Sequence, residues 1–114
     1  MLDSNDVQLP IDALAVTSDG GWTLEAGSSD QLVLIGLLTH TLKQAAAELV
    51  TPDRIELVSI AVDATGKAMG GAVKFAHQID RQTRTLIFIS GDVRESEEPL
   101  LRGTAIFRLV PEAR

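Results

Sequence analysis

The sequence predicts one small α+β domain, in which a mostly antiparallel sheet wraps a single long central helix. Three observations predict this fold class. Residues 30–50 form one long hydrophobic segment of helical character, and apolar residues after Pro52 recur with a period of two. The length of 114 residues suits one domain. Because the strands follow the helix as a run and do not alternate with further helices, α+β is favoured over a βαβ arrangement.

The segment from Asp30 to Val50 carries the strongest signal. Its first two turns are apolar on every side, as in a helix buried all round, and three consecutive alanines follow. Ser28 precedes Gln31 by the spacing of a capping box, and Asp30 is expected in the first turn. Pro52 is expected to end the helix, because the residue before a proline avoids the α region. The side chains expected to be almost fully buried are Leu34, Leu37 and Leu38.

A β-hairpin is predicted for residues 11–25, because apolar residues alternate with polar or small ones on both sides of a turn at Ser18-Asp19-Gly20-Gly21. After the helix, alternation predicts a meander of four strands, with a break at 80–82 and a polar turn at 95–99. The polar residues 1–10 are expected to form a flexible N-terminal segment, which leaves 11–114 as the domain. The four strands of the meander are expected around residues 57–62, 73–79, 85–89 and 100–110.

Charge and composition exclude several classes of function. The formal net charge is −6, and no basic residue precedes Lys43. Nucleic acid is a poor expectation as a partner, because neutralisation of phosphates dominates that affinity. No stretch reaches the ~18 apolar residues of a membrane span, and the first residues lack a secretory signal, so a cytoplasmic location is expected. The chain has no cysteine, and its His and acidic residues lack metal-ligand spacing, so no metal site is expected.

The second half of the chain resembles a known family. A basic turn at Arg81–Arg84 precedes an apolar strand that ends in Asp92-Val93-Arg94, and the last strand contains Gly103-Thr104-Ala105-Ile106-Phe107. This order resembles the small acyl-CoA thioesterases related to phenylacetate degradation, which have the hotdog fold. With the helix included, the resemblance covers roughly residues 11–110. It implies hydrolysis of an acyl-CoA thioester at a site shared across a homodimer or a dimer of dimers. Coenzyme A would be part of the substrate, and no separate cofactor is implied.

The catalytic pattern of that family is only partly present. Many members carry His-Gly-Gly at the helix start and an acid about two turns later. This chain has Asp30-Gln31-Leu32 at the start, and Thr39 and His40 near the inner acid position. The first acid inside the helix is Glu48, which lies too far along. Other branches start the helix after an Asp with Gly-His nearby, or use Asp, Thr and Gln together to orient water. The Gly-His partner is absent here.

Four residues on the helix are candidates for catalysis, each with a structural alternative. Thioester hydrolysis needs donors for the developing oxyanion and a group that activates water. The helix N-terminus offers N–H donors, with Gln31 as a further donor and Asp30 as the carboxylate; the structural alternative for both residues is that they only cap the helix. Thr39 would orient water, or bond back to the preceding turn. His40 would act as a base reached from a partner chain, or as a structural or interface histidine.

Basic residues at a pocket mouth would bind the phosphates of CoA. The alternative role of each candidate, an ordinary solvated turn residue, is the more common one for such a position. His77 shares an apolar face with Phe75 and Ile79, so it is expected to pack or to make a dimer contact. The candidates for CoA binding are Lys67, Arg81, Arg84 and Arg94.

Two functions from different classes therefore remain open. The first is a thioesterase-like enzyme that acts on acyl-CoA. The second is a non-catalytic hotdog module that binds acyl-CoA, a small apolar ligand or another protein.

Overall fold

A computed structural model describes residues 10–25, 30–50 and 54–110 of the chain. A 3-10 helix at Ile11–Ala13 precedes the elements β1 Ala15–Val16, β2 Trp22–Leu24, α1 Gln31–Ala47, β3 Arg54–Ala64, β4 Val73–Gln82, β5 Leu86–Glu95 and β6 Glu98–Val110. All strand pairs are antiparallel, and the sheet order is β1-β2-β4-β5-β6-β3. The predicted α+β class, with one long helix against an antiparallel sheet, is confirmed.

The helix α1 is buried where the sequence predicted. Leu34, Leu37 and Leu38 are all 0% exposed, and burying such a side chain contributes about 1.5–3 kcal/mol. Asp30 does not lie in the first turn. Its backbone is extended, and its side chain caps the helix by accepting from the Leu32 N–H. The roles predicted for Ser28 and Pro52 lie outside the described residues, as does the predicted flexible segment up to residue 9.

Two glycines allow the helix to lie close to the sheet. Gly91 in β5 and Gly103 in β6 are directly paired, beneath Leu38 and Leu42 of α1. A Cβ on Gly91 would lie 2.8 Å from Cδ2 of Leu42 and 2.6 Å from the Ala76 carbonyl oxygen. A side chain at either position would therefore push the helix away from the sheet. The buried sheet residues that surround this contact are Val73, Phe75, Ile87, Ile89, Val93, Leu101, Ala105 and Phe107.

The alternation predicted for β4 is correct at its start and weakens toward its end. Val73 and Phe75 are buried, whereas His77 is half-buried and Ile79 is 37% exposed. The reason is that β2 is short and pairs with β4 only between residues 73 and 75. The second half of β4 therefore extends beyond the strand that covers its edge.

Several predicted boundaries are wrong for identifiable reasons. Residues 80–82 belong to β4, because a bulge between Ile79 and Arg81 interrupts the alternation without ending the strand. Strand β5 continues to Glu95, so Arg94 is a strand residue. The turn that follows is shorter than predicted and is made by Ser96 and Glu97, both at positive φ. Residues 11–13 form a 3-10 helix and not a strand.

Candidate functional site

The start of α1 brings a carboxylate next to an unpaired backbone donor. The N–H groups of Val33 and Leu34 donate to the Asp30 carbonyl at 3.1 and 3.3 Å. The Leu32 N–H donates to Asp30 Oδ1 at 3.0 Å. Of the backbone N–H groups in the first turn, that of Gln31 is the one left without an acceptor among the described residues. A free N–H at the positive end of a helix dipole is suited to bind an anion or a developing oxyanion.

Thr39 and His40 lie far from this position within one chain. Thr39 lies nine positions after Asp30 in sequence, which corresponds to about 13 Å along the helix axis. The Thr39 hydroxyl donates to the Ile35 carbonyl at 2.9 Å, so it is engaged in the helix itself. Successive helix residues diverge by ~100°, so Thr39 and His40 project from different sides of α1. One chain therefore does not bring these two residues to Asp30.

The four basic candidates occupy opposite ends of the sheet. Lys67 lies in the loop between β3 and β4, and Arg94 lies near the end of β5 at that same end of the sheet. Arg81 lies near the end of β4 and Arg84 in the turn that follows, about 33 Å away for a strand of ten residues. The Arg81 guanidinium lies 5.8 Å from the centre of the Phe88 ring, a cation–π distance. The four residues therefore lie two at each end of the sheet and do not form one cluster.

A polar groove lies on the face of the sheet opposite α1. Its volume is about 480 Å³. Within it, Gln78 Nε2 and Ser90 Oγ donate to Asp80 Oδ1 at 3.0 and 3.1 Å. Asp92 and Arg102 are directly paired across β5 and β6. The sequence analysis missed this groove, because each member is an ordinary solvent-facing strand position and only the cross-strand register brings them together.

The fold is shared with several solved structures. A Bacillus halodurans protein crystallised with CoA has a TM-score of 0.75 at 16% identity, over 85% of this chain and 71% of that chain. A Haemophilus influenzae thioesterase has a TM-score of 0.75 at 11% identity, over 86% and 77%. A phenylacetic acid degradation-related protein from Ralstonia eutropha has a TM-score of 0.70 at 12% identity, over 90% and 92%. The chain has the hotdog fold.

The predicted resemblance to thioesterases is thus confirmed at the level of the fold. No protein-family model and no curated protein sequence matches the chain. Within the part of the chain that the structure describes, no helix is long and apolar enough to cross a membrane.

Glu95 holds the β3–β4 loop of this hotdog domain in place. Its Oε1 accepts from the Met69 N–H at 2.9 Å, and its Oε2 accepts from the Gly71 N–H at 3.0 Å. The base of the loop is held by Leu100, whose carbonyl accepts from the N–H groups of Thr65 and Gly66. Lys67 therefore sits on a loop fixed at both ends. This contact could not be predicted from the sequence, since Glu95 lies in an acidic run that is typical of a surface turn.

His77 packs beside the hairpin. Its ring centroid is 5.7 Å from that of Trp22, at a tilted angle. Its Nδ1 is buried and has no hydrogen-bond partner among the described residues. The geometry corresponds to the packing role expected for this residue.

Proposed function

We propose that the protein is a thioesterase-like hotdog enzyme that hydrolyses an acyl-CoA thioester at a site formed between two copies of the chain. The observation that carries this proposal is the start of α1, where the Asp30 carboxylate adjoins the Gln31 N–H, which has no acceptor among the described residues. Support also comes from the fold, which the chain shares with thioesterases and with a Bacillus halodurans protein crystallised with CoA.

The proposed chemistry uses these two groups together. The thioester carbonyl oxygen accepts a hydrogen bond from the Gln31 N–H, which stabilises the oxyanion that forms. Asp30 takes a proton from a water molecule, and the water oxygen attacks the carbonyl carbon. The tetrahedral intermediate then expels the CoA sulfur, which leaves as the thiol with that proton. The bond from the Leu32 N–H to Asp30 holds the carboxylate close to the oxyanion donor.

A second copy of the chain would supply the remaining candidates. Thr39 and His40 lie about two and a half turns from Asp30 on the same helix, so only those of a partner copy would face its water. A homodimer is also favoured by β3, which ends the sheet and exposes 46% of Leu57 and 53% of Val58. Proteins cover such edge strands or pair them. The proposal includes a homodimer, alone or as half of a dimer of dimers.

The phosphates of CoA would engage one of the two basic pairs, because the pairs lie at opposite ends of β4. Lys67 is favoured by its anchored loop, which needs little ordering on binding. Replacing Lys67 and Arg94 by Gln should then raise KM, with the Arg81 and Arg84 double variant as the matched control. An equal effect of both double variants would contradict a single phosphate site.

The decisive experiment measures thiol release from short, long and aromatic acyl-CoAs by wild type and Asp30→Asn. Asn caps a helix as well as Asp does, so the fold is retained. Turnover should fall by roughly a hundredfold, which corresponds to about 2.7 kcal/mol of barrier. Asp12→Asn, at an exposed position of the 3-10 helix, is the control. Turnover unchanged by Asp30→Asn would move the chemistry to another residue.

The second candidate function is a non-catalytic module that binds acyl-CoA, a small apolar ligand or a protein. It is favoured by the Thr39 hydroxyl, which is already bonded to Ile35, and by the absence of His-Gly-Gly at the helix start. CoA binding seen by calorimetry, without thiol release from any substrate of the panel, would establish this function and exclude hydrolysis.

A further inference from the structure

The polar groove on the face of the sheet opposite α1 is built by cross-strand register. Small side chains on three neighbouring strands line it, those of Ala76, Ser90 and Thr104. Two longer charged residues, Asp92 and Arg102, stand beside them and lie directly opposite each other on β5 and β6. The volume of about 480 Å³ lies in the range of about 300–1,000 Å³ that is typical of small-molecule sites.

Asp92 has one carboxylate oxygen without a donor. Its Oδ2 accepts from Arg94 Nη2 at 3.4 Å. Its Oδ1 is buried and has no hydrogen-bond partner among the described residues. Burial without a partner costs the hydration of that oxygen, so folded proteins rarely leave such a group unsatisfied. Since Asp92 lines the groove, a molecule bound there can supply the donor that this oxygen lacks.

Arg102 is the complementary group on β6. Carboxylates flank it on both neighbouring strands, Asp92 on β5 and Asp63 on β3. Neither of these two carboxylates lies within 4.0 Å of its guanidinium, and the ion pair that Asp92 makes is with Arg94. The guanidinium is exposed and presents a planar set of N–H donors, which suits a carboxylate.

These two groups favour a ligand that carries both signs of charge. A simple anion would be attracted by Arg102 and repelled by Asp92, and a simple cation would meet the reverse. The Cβ atoms of directly opposite residues are only about 5 Å apart, so the two charges of the ligand must be close neighbours. An α-amino acid carries its ammonium and its carboxylate on the same carbon atom. The ammonium can donate to Asp92 Oδ1 while the carboxylate accepts from the Arg102 guanidinium.

The remaining polar groups of the groove fit a side chain that both donates and accepts hydrogen bonds. The Asp80 carboxylate is already engaged, because its Oδ1 accepts from Gln78 Nε2 and from Ser90 Oγ. Since Ser90 gives its hydrogen to Asp80, its oxygen keeps lone pairs that accept. Thr104 lies directly opposite Ser90, and its hydroxyl takes part in no hydrogen bond among the described residues, so it is available to donate. A carboxamide, with its N–H donors and its carbonyl acceptor, matches these two hydroxyls.

We propose that this groove binds a free α-amino acid with a hydrogen-bonding side chain, with its ammonium on Asp92 and its carboxylate on Arg102. The groove and α1 lie on opposite faces of the sheet. The site is therefore separate from the proposed hydrolytic site, and its occupation does not depend on hydrolysis.

NMR titration with three matched probes tests the charge assignment. The probes are L-glutamine, N-acetyl-L-glutamine, which lacks the ammonium, and L-glutaminamide, which lacks the carboxylate. At millimolar concentrations L-glutamine should bind at least tenfold more tightly than either derivative, and it should shift the amide signals of Ser90 and Thr104. L-Leucine, which keeps both charges and lacks the carboxamide, should bind more weakly than L-glutamine. Equal binding of the first three probes, no binding of L-glutamine, or shifts confined to α1 would overturn the proposal.

Two substitutions test the residues that would hold the amino acid. Asp92→Asn and Arg102→Gln should each weaken L-glutamine binding by roughly tenfold or more. Asp63→Asn is the matched control, because Asp63 flanks Arg102 on β3 but does not line the groove, and it should not weaken binding.

A merely structural role for Asp92 or Arg102 would lower the affinity for all probes alike. The proposal instead expects a change in preference. Asp92→Asn should lose the preference for L-glutamine over N-acetyl-L-glutamine, and Arg102→Gln should lose the preference over L-glutaminamide. Wild-type affinity for L-glutamine in both variants, or unchanged preferences in both, would overturn the site.

Discussion

The middle of α1 and its first turn belong to one helix but are subject to different constraints. Leu34, Leu37 and Leu38 are enclosed by the sheet, whereas Leu32 in the first turn is 65% exposed. Packing determines the residues in the middle, and little in the described part of the chain determines those at the start. The exposed first turn is accessible for binding by a ligand or by a second chain. Along this single helix, the middle is therefore shaped by stability and the start is available for function.

The largest expected effect is on the free energy of unfolding, for Leu37→Ala in the middle of α1 compared with Leu32→Ala in its first turn. Leu37→Ala should lower the free energy of unfolding by about 2–5 kcal/mol, because it leaves a cavity in the core. Leu32→Ala should change it by less than about 0.5 kcal/mol, as exposed substitutions do. Urea denaturation of both variants measures the difference. Similar losses for the two would mean that the first turn is also covered.

Gly91→Ala tests the close contact between the middle of α1 and the sheet. The new methyl group would meet the Ala76 carbonyl, which is backbone and cannot move aside, so a loss of about 1–3 kcal/mol is expected. Gly103→Ala should cost less, because its Cβ would lie 3.1 Å from the flexible end of Leu38. Thermal unfolding that ranks Gly103→Ala as the more damaging would contradict the close contact at Gly91.

Asp30→Ala against Asp30→Asn separates capping from chemistry at the helix start. Asp30→Ala loses the bond to the Leu32 N–H, so stability should fall by about 1 kcal/mol. Asp30→Asn keeps a capping oxygen and should leave stability unchanged. Both variants should lose turnover equally if Asp30 activates water. Turnover that follows stability across the two variants would indicate that Asp30 acts only as a cap.

The smallest expected effect lies on β3. The hydrogen bond from Arg108 lowers the pKa of Glu56 from its ordinary value of 4.5. A lowered pKa in the folded state stabilises the fold above the ordinary value, and this contribution is lost as the pH falls through the lowered one. Arg108→Gln should therefore reduce stability slightly at pH 7 and have no further effect in strong acid. Unfolding curves of both proteins at pH 7 and well below 4.5 check this, and a gap that persists in acid would contradict it.

The sequence was sufficient for the fold because apolar periodicity reports burial directly. The all-apolar turns around Leu34 placed the helix, and the alternation at Val73 and Phe75 placed β4. It failed at residues 80–82, where a bulge looks like the end of a strand. The candidate site was predictable only where its members are neighbours in sequence, as Asp30 and Gln31 are. Lys67 and Arg84 lie at opposite ends of a strand. This placement follows from the topology of the sheet, which cannot be read from composition or residue spacing.

The two hydrogen bonds between Glu95 and the β3–β4 loop have a consequence for the opening of that loop. One carboxylate on the end of β5 holds the Met69 and Gly71 N–H groups of a loop that has no regular structure of its own. The loop can lift only when both bonds break together, so a single side chain governs how often it opens. Exchange of these two amide hydrogens with solvent should occur in concert, at a rate that Glu95→Ala would raise for both alike. A molecule that competed for the Glu95 carboxylate would then free this part of the loop, while its base would stay bonded to Leu100.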